Sequence, residues 1–339
     1  MQLSEFDFPF DPSLVALQPV NPRDCARLLL LDRQTYGFVH RRVADLLFLL
    51  NPGDLLIVND TKVLAALVSG IKRPTGTPVE VLFVKDLGEG RWEIMVKGAF
   101  RVGQVIEFDQ QSRVTIVKRD ADGTEVIVES SEPVARLFEA QGVMPLPPYI
   151  KRAPTQEDHR WYQTVFAKHE GAIAAPTAGL HFTEDLFQRL NASGINIAAV
   201  TLHVGPGTFK PVTTERIEDH RMGTEAFSIS EETAKTIRET KRAGGRVVAV
   251  GTTVVRALET VMKEKGEMVS MSGESRLFVT PGFEFKIVDA LMTNFHLPRT
   301  TLLMLVSAFA GIEPMRKAYE EAVKERYRFY SYGDAMLIL

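Results

Sequence analysis

Cysteine is almost absent: Cys25 is the only one in 339 residues. That excludes a disulfide-stapled fold and any zinc centre built on clustered thiolates. No 18 apolar residues run unbroken, and the opening MQLSEFDFPFDP lacks the basic-then-apolar order of a secretory signal. A cytoplasmic protein with no membrane association is therefore expected. Charge of one sign is also lacking: 40 Lys+Arg stand against 43 Asp+Glu, a formal net charge of −3. The molecule is not basic as a whole, so a nucleic-acid surface must come from local charge. There is no internal repeat and no low-complexity tract. What remains is 45% hydrophobic, 24% charged and 9% aromatic, an ordinary globular composition. The length exceeds the roughly 250–300 residues at which a single core stops growing, so two domains are expected.

The patterning changes twice along the chain. Residues 1–63 have α/β grammar, with ARLLLLD (26–32) and DLLIVND (54–60) as buried strands around a helix-like VADLLFLL (43–50). From residue 64 a series of short strands follows without helices between them: VLAALVSGIK, PVEVLFVKDL, RWEIMVKGA, QVIEF, RVTIVKR and TEVIVES. Such spacing predicts a small barrel or sandwich. A helix over PVARLFEAQ and the rigid MPLPPY run at 144–149 close this section. Strands and helices then alternate to the C-terminal AMLIL, which predicts a parallel or mixed sheet covered on both faces. Because 63 residues are too few to bury a core alone, the expected fold is a mixed-sheet α/β domain built from both ends of the chain, residues 1–63 and 151–339. A small β-barrel domain, 64–150, is inserted in it.

Polar residues gather in a few Gly-rich, apolar stretches, and strand ends followed by such turns are where open α/β sheets bind ligands. In VVAVGTTVVRALE a strand ends at Gly251 and a helix starts at Thr252 or Thr253. The free N–H groups there favour an anion, and Arg256, one turn on, offers a cation. The ordinary alternative is a plain threonine cap. In TLHVGPGTF, Gly205 and Gly207 allow close backbone approach to a ligand and Phe209 a ring contact; the bland alternative is a tight turn with His203 as a satisfied core side chain. TNFHLP sets Asn294 and His296 in a loop before an apolar helix. The spacing of His181, His203, His220 and His296 matches no metal motif such as H-E-x-x-H, so no metal is expected. For nucleic acid, residues 23–42 hold five arginines against two aspartates, and Arg326 and Arg328 lie among Tyr327, Tyr330 and Tyr332. Basic groups interleaved with aromatics suit a phosphate backbone with unstacked bases, although from charge alone a solvated surface with ordinary ion pairs is the better reading.

Taken together, blocks from one end of the chain to the other resemble the S-adenosylmethionine:tRNA ribosyltransferase-isomerases of queuosine biosynthesis. They include PRDCARLLLLD, NPGDLLIVNDTKV, MPLPPYI, AAPTAGLHFT, TLHVGPGTFKPV, EDHRM, VVAVGTTVVRALE, VDALMTNFHLP and YRFYSYGDAMLIL. The resemblance implies an α/β domain with an inserted barrel. It also implies transfer of the ribosyl group of S-adenosylmethionine, as cosubstrate and without any cofactor, to 7-aminomethyl-7-deazaguanine at the wobble position of tRNA. The products are epoxyqueuosine-tRNA, adenine and methionine; the partner is the tRNA anticodon stem-loop, and a monomer is expected. Such chemistry needs an acid and a base with pKa values near neutral. His203, His181 and His296 are the candidates, with Asp289, Glu225 or Asp334 as orienting carboxylates. Gly205, Gly207, Phe209, Gly251, Thr252, Thr253, Arg256 and Asn294 are the candidates for holding the cosubstrate, with Phe209 or Phe295 facing the sulfonium. Three positions depart from the family pattern: Leu67 stands where an Arg is usual, Gly223 where a His is usual, and Val254 where a Ser or Thr is usual. The rival expectations are an RNA methyltransferase and a tRNA-binding paralogue with weak or no activity.

Overall fold

Short, uninterrupted apolar runs such as Leu55–Asn59 and Val247–Val250 are buried along their whole length, as strands in the middle of a parallel sheet must be. The computed structural model describes residues 1–120, 126–205 and 212–339. In chain order its strands begin with β1 (Arg27–Leu31), β2 (Phe38–Arg42), β3 (Leu55–Asn59) and β4 (Thr61–Val63). Then come β5 (Leu67–Lys72), β6 (Thr77–Gly88), β7 (Arg91–Val96), β8 (Val105–Glu107), β9 (Arg113–Arg119) and β10 (Val126–Ser130). The series ends with β11 (His169–Ala172), β12 (Asn196–Leu202), β13 (Glu225–Ile229), β14 (Val247–Val250), β15 (Met271–Ser275), β16 (Ala290–Asn294) and β17 (Ala335–Ile338). The helices are α1 (Leu46–Leu49), α2 (Val134–Gln141), α3 (Asp158–Trp161), α4 (Glu184–Ala192), α5 (Glu231–Arg242), α6 (Thr252–Lys265), α7 (Thr301–Ala310) and α8 (Ile312–Lys324). None is long and apolar enough to cross a membrane, among the described residues.

One mixed sheet of nine strands runs β15-β13-β12-β3-β14-β16-β17-β1-β2. Its centre, β12, β3, β14 and β16, is parallel, and β17 returns antiparallel to β16. The two ends of the chain meet directly: β1 pairs in parallel with β17, Leu28 to Leu31 against Ala335 to Ile338. Alternate side chains go to opposite faces. Leu55, Ile57, Val247, Ala249 and Leu291 join the core under α5 to α8, while Leu56, Val58, Val248, Val250 and Met292 join a second core with Leu46, Phe182, Leu186 and Leu190. Four strands of this sheet were not foreseen, nor was the separate pair β4 and β11. β2 is an edge strand with most residues exposed, so it lacks an apolar signature. β13 and β15 alternate over only five residues each. β16 ends in Thr293 and Asn294, polar residues that break its apolar signature and take tertiary partners, His296 for Thr293 and the Tyr330 carbonyl for the Asn294 amide nitrogen.

Strands β5 to β10 close a six-stranded antiparallel barrel, in the order β10-β7-β6-β5-β8-β9 with β9 paired back to β10. The fold is therefore the mixed-sheet α/β architecture with an inserted barrel that the sequence implies. Helix α2 puts Val134 and Leu137 into the barrel core, and its Phe138 ring packs edge-on against Phe83 and Trp92. Closure depends on Gly70 in β5. A Cβ there would lie 2.8 Å from the Phe108 ring, 2.9 Å from an Ile106 methyl and 3.0 Å from the Glu107 carbonyl oxygen on the neighbouring strand. Gly70→Val is expected to lower unfolding free energy by about 1–3 kcal/mol, the usual cost of overpacking, read from a denaturant midpoint with an unchanged slope.

Candidate active site

The carboxyl ends of β3, β12, β14 and β16 lie along one edge of the sheet, and a buried asparagine closes two of them, Asn59 in β3 and Asn294 in β16. Asn59, 1% exposed, ends β3. Its Oδ1 accepts from the backbone N–H of Leu202 (3.0 Å) and Thr61 (3.2 Å), and its Nδ2 donates to the Leu202 carbonyl (2.9 Å). This clamp ties β3 to β12 just before both chains turn away. Beside it, β14 ends at Gly251, whose φ of +96° suits glycine. Gly251 is itself the residue before α6, so no side chain caps the helix. The free N–H groups of its first turn are left for another acceptor.

Two adjoining clefts open above these ends. One is lined by Ala175–Ala178, Val204, Gly251–Thr253 and Thr293. The other is lined by Tyr149, Asn294, Leu297, Thr300, Tyr330 and Ser331. Thr177, His296 and Leu302 border both. Three stretches far apart in sequence are thus brought to one place: Val204 of TLHV, Gly251–Thr253, and Thr293–Leu297.

His296 stands at the junction. Its Nε2 shares a 2.8 Å hydrogen bond with Thr293 Oγ1, and its backbone N–H donates to Tyr319 Oη at 2.8 Å. Burial lowers its pKa to about 3. His181, carried by a 3-10 turn over Thr177–His181, lies behind Asn294, whose Nδ2 is 3.1 Å from His181 Nε2. Burial lowers its pKa to about 4, against a raising influence of Asp334. Both imidazoles are neutral at pH 7.

His203 is elsewhere. It follows β12 and turns to the opposite side from Val204, into an open groove that also holds Asp60, His169 and Glu170. Its Nδ1 is 2.8 Å from Thr61 Oγ1. Its ring rests on Gly171, where a Cβ would come within 2.8 Å of it. Partial burial lowers its pKa, and Asp60 opposes that. The structure therefore brings His296 to the clefts, sets His181 behind Asn294 without lining either of them, and holds His203 apart.

Two expected residues are placed away from the clefts. Asp289 precedes β16, at the far end from Asn294. It binds Lys241 Nζ (2.7 and 2.8 Å) and the Val247 N–H (2.8 Å), a purely structural set of partners. Arg256 lies one turn into α6, and helix rotation carries it toward β13. There it forms a buried ion pair with Glu225 and donates to the Leu277 carbonyl (3.1 Å). Glu225 is thus engaged as well, and Asp334 holds the backbone N–H of Arg27 and Arg328. Phe295 packs its ring among Tyr319, Tyr327 and Phe329. Gly205 has open space around it; Gly207 and Phe209 lie outside the described residues. No group of three or more metal-ligating side chains occurs among the described residues. Leu67 begins β5 opposite Leu82, and Gly223 is exposed with nothing near its Cα. Sequence reasoning missed Asn59, Tyr149 and Ser331, and singled out Tyr330 only as an aromatic of a nucleic-acid surface. A polar residue closing an apolar strand, as in LLIVND, is the signal that marks Asn59.

A family model described as "Queuosine biosynthesis protein" matches residues 3–338. The chain belongs to this family. Among its relatives are proteins named S-adenosylmethionine:tRNA ribosyltransferase-isomerase from Thermotoga maritima, 48% identical, and from Desulforamulus reducens, 46% identical, each match covering 100% of both chains. A crystal structure of S-adenosylmethionine tRNA ribosyltransferase from Thermotoga maritima superposes with a TM-score of 0.58 at 38% identity, over 99% of this chain and 100% of that one. The clefts of this queuosine-family chain are built almost entirely from blocks that carry the sequence resemblance.

Two outcomes are expected. Arg256→Ala should reduce folding stability by about 3–5 kcal/mol, because it strips Glu225 of its buried cation; a thermal or denaturant melt reads this. Acid should also destabilise the protein above the carboxylate range. Folded pKa values of about 4 and 3 for His181 and His296 lie below the ordinary 6.5. The unfolded chain therefore takes up protons first as pH falls. The stability is complete above pH 6.5 and declines below it, by on the order of 2 kcal/mol per histidine at pH 5. Urea midpoints at pH 7 and pH 5 measure the difference.

Proposed function

We propose that this chain transfers and isomerises the ribosyl group of S-adenosylmethionine onto 7-aminomethyl-7-deazaguanine at the wobble position of tRNA. The products are epoxyqueuosine-tRNA, adenine and methionine. The observation that carries this reading is the end-to-end match to relatives named for that activity. The cleft chemistry supports it. The sulfonium of the cosubstrate acidifies the ribose 5′ carbon, so that a base can open the sugar and expel adenine. The aminomethyl nitrogen then attacks after losing a proton, and the epoxide closes as methionine leaves.

Within this reading the cosubstrate lies across the two clefts, its carboxylate toward the uncapped N-terminus of α6 at Gly251, Thr252 and Thr253. His296, at the junction, stands beside the sugar. Because burial keeps His181 and His296 neutral, they orient and hydrogen-bond; they are poor proton acceptors at pH 7. His203 retains the better basicity through partial exposure and Asp60, and is the candidate for the proton taken from the aminomethyl group on the tRNA side. The α/β unit, 1–63 with 151–339, carries the chemistry. The inserted unit, 64–150, extends the surface for the anticodon stem-loop, where Leu67 affects grip more than chemistry. The protein acts as a cytoplasmic monomer without a resident cofactor.

The test mixes the protein with S-adenosylmethionine and tRNA carrying the aminomethyl-deazaguanine base. Release of adenine and methionine in equal amounts is expected. S-adenosylhomocysteine in their place would mean an RNA methyltransferase, and tRNA binding without any adenine would mean an inactive paralogue.

A further inference from the structure

The cleft around Asn294 carries a polarity that the reaction scheme does not use. Asn294 is 2% exposed and closes β16. Its Nδ2 donates to the Tyr330 carbonyl at 3.0 Å and faces His181 Nε2 at 3.1 Å, which occupies both amide hydrogens. A carbonyl can only accept, so the Tyr330 oxygen fixes which end of the amide faces it. The other end, Oδ1, is buried and has no hydrogen-bond partner. Nor has the Tyr330 hydroxyl, on a side chain 5% exposed. Tyr330 is held at φ +69°, a conformation uncommon for an aromatic residue and concentrated at functional sites. Two unpartnered polar atoms, one an obligate acceptor, thus belong to side chains lining the same cleft. Buried groups in native proteins are seldom left so.

The rest of the cleft narrows the ligand. Leu297 and Leu302 form apolar walls, and the Tyr149 and Tyr330 rings, packed on each other with centroids 4.7 Å apart and tilted by 46°, add an aromatic wall against which a flat group can lie. A flat, aromatic group fits such a site, and Asn294 Oδ1 repels an anion. The adjoining cleft has the opposite character, since the α6 N-terminus attracts one. A single ligand with an anionic end and a flat end that donates an N–H is oriented by that contrast. The geometry points to Asn294 and Tyr330 as the adenine-reading subsite: Asn294 Oδ1 accepts from the exocyclic amine, and the Tyr330 hydroxyl donates to a neighbouring ring nitrogen. This rests on the proposed reaction and says which end of the cosubstrate enters which cleft. It also makes the site one that rejects a 6-oxo purine, whose carbonyl would face the amide oxygen.

Competition against labelled S-adenosylmethionine tests it directly. Adenine should displace the label, purine (without the amine) about tenfold more weakly, and hypoxanthine more weakly still. In Asn294→Ala adenine should fall to the level of purine. Tyr330→Phe, which removes one oxygen and keeps the ring, should retain the preference for the amine. It should lose the preference for adenine over whichever of 1-deazaadenine and 7-deazaadenine lacks the contacted nitrogen. Equal displacement by adenine and purine, no displacement by adenine, or an undiminished preference in Asn294→Ala would each overturn the assignment. If Asn294→Ala does not fold, the ligand series on the native protein and on Tyr330→Phe decides. Adenine release from the tRNA reaction together with equal binding of adenine and purine would overturn this subsite alone. Adenine-selective binding without release would instead remove the proposed reaction.

Discussion

Pairing of β3 on both edges is the constraint on which the rest of the structure depends. Leu55–Asn59 comes from the first part of the chain and lies in parallel between β12 and β14, which come from the second. That register puts Asn59, Leu202 and Gly251 at one sheet edge. With Asn59 holding both the N–H and the C=O of Leu202, the chain leaving β3 is directed into β4 and the barrel. The chain leaving β12 is directed past the cleft. The barrel can be inserted there without disturbing the sheet because β4 and β11 pair with each other, and the chain returns next to where it left.

The same edge explains the electrostatics. Four strand ends and one helix start converge there, and each brings backbone groups that need partners. Buried side chains satisfy several of them: Asn59 takes both the N–H and the C=O of Leu202, and Thr300 accepts from the N–H of Leu303. Histidines built into such surroundings lose their charge, since burial outweighs what little favours an imidazolium there, Asp334 in the case of His181. The clefts are consequently neutral, and their polarity comes from fixed dipoles, the N-terminus of α6 on one side and the Asn294 amide on the other. Preorganised dipoles of this kind orient a zwitterionic, sulfonium-bearing molecule without requiring a matching buried charge.

Much of this was legible in the residues. Apolar runs bounded by turns located nearly all the central strands, and the change of period near residue 64 announced the barrel. Cap chemistry was partly legible. Thr183 and Thr300 accept from the N–H groups expected of them, while α6 starts from Gly251, so the two threonines after it are left free to line the cleft. Asp289 and Arg256 were legible only as charges in suggestive stretches. What they contact depends on which end of β16 and which side of α6 they occupy, and local sequence does not carry that information.

By itself, then, the sequence determined most of the secondary structure, the insertion of an all-β unit into an α/β chain, and, through its long motif blocks, the family. These are local or additive properties: periodicity, turn chemistry and the order of blocks. Only the tertiary structure decided that His296 lines the clefts with His181 behind Asn294, while His203 faces a separate groove. It also decided that Arg256 is spent on Glu225 and that Asn294 and Tyr330 each keep an unpaired polar atom. Each of those outcomes depends on strand register and on which face a side chain occupies. A shift of one residue reverses the face, so contacts between distant segments are set by the packed sheet as a whole.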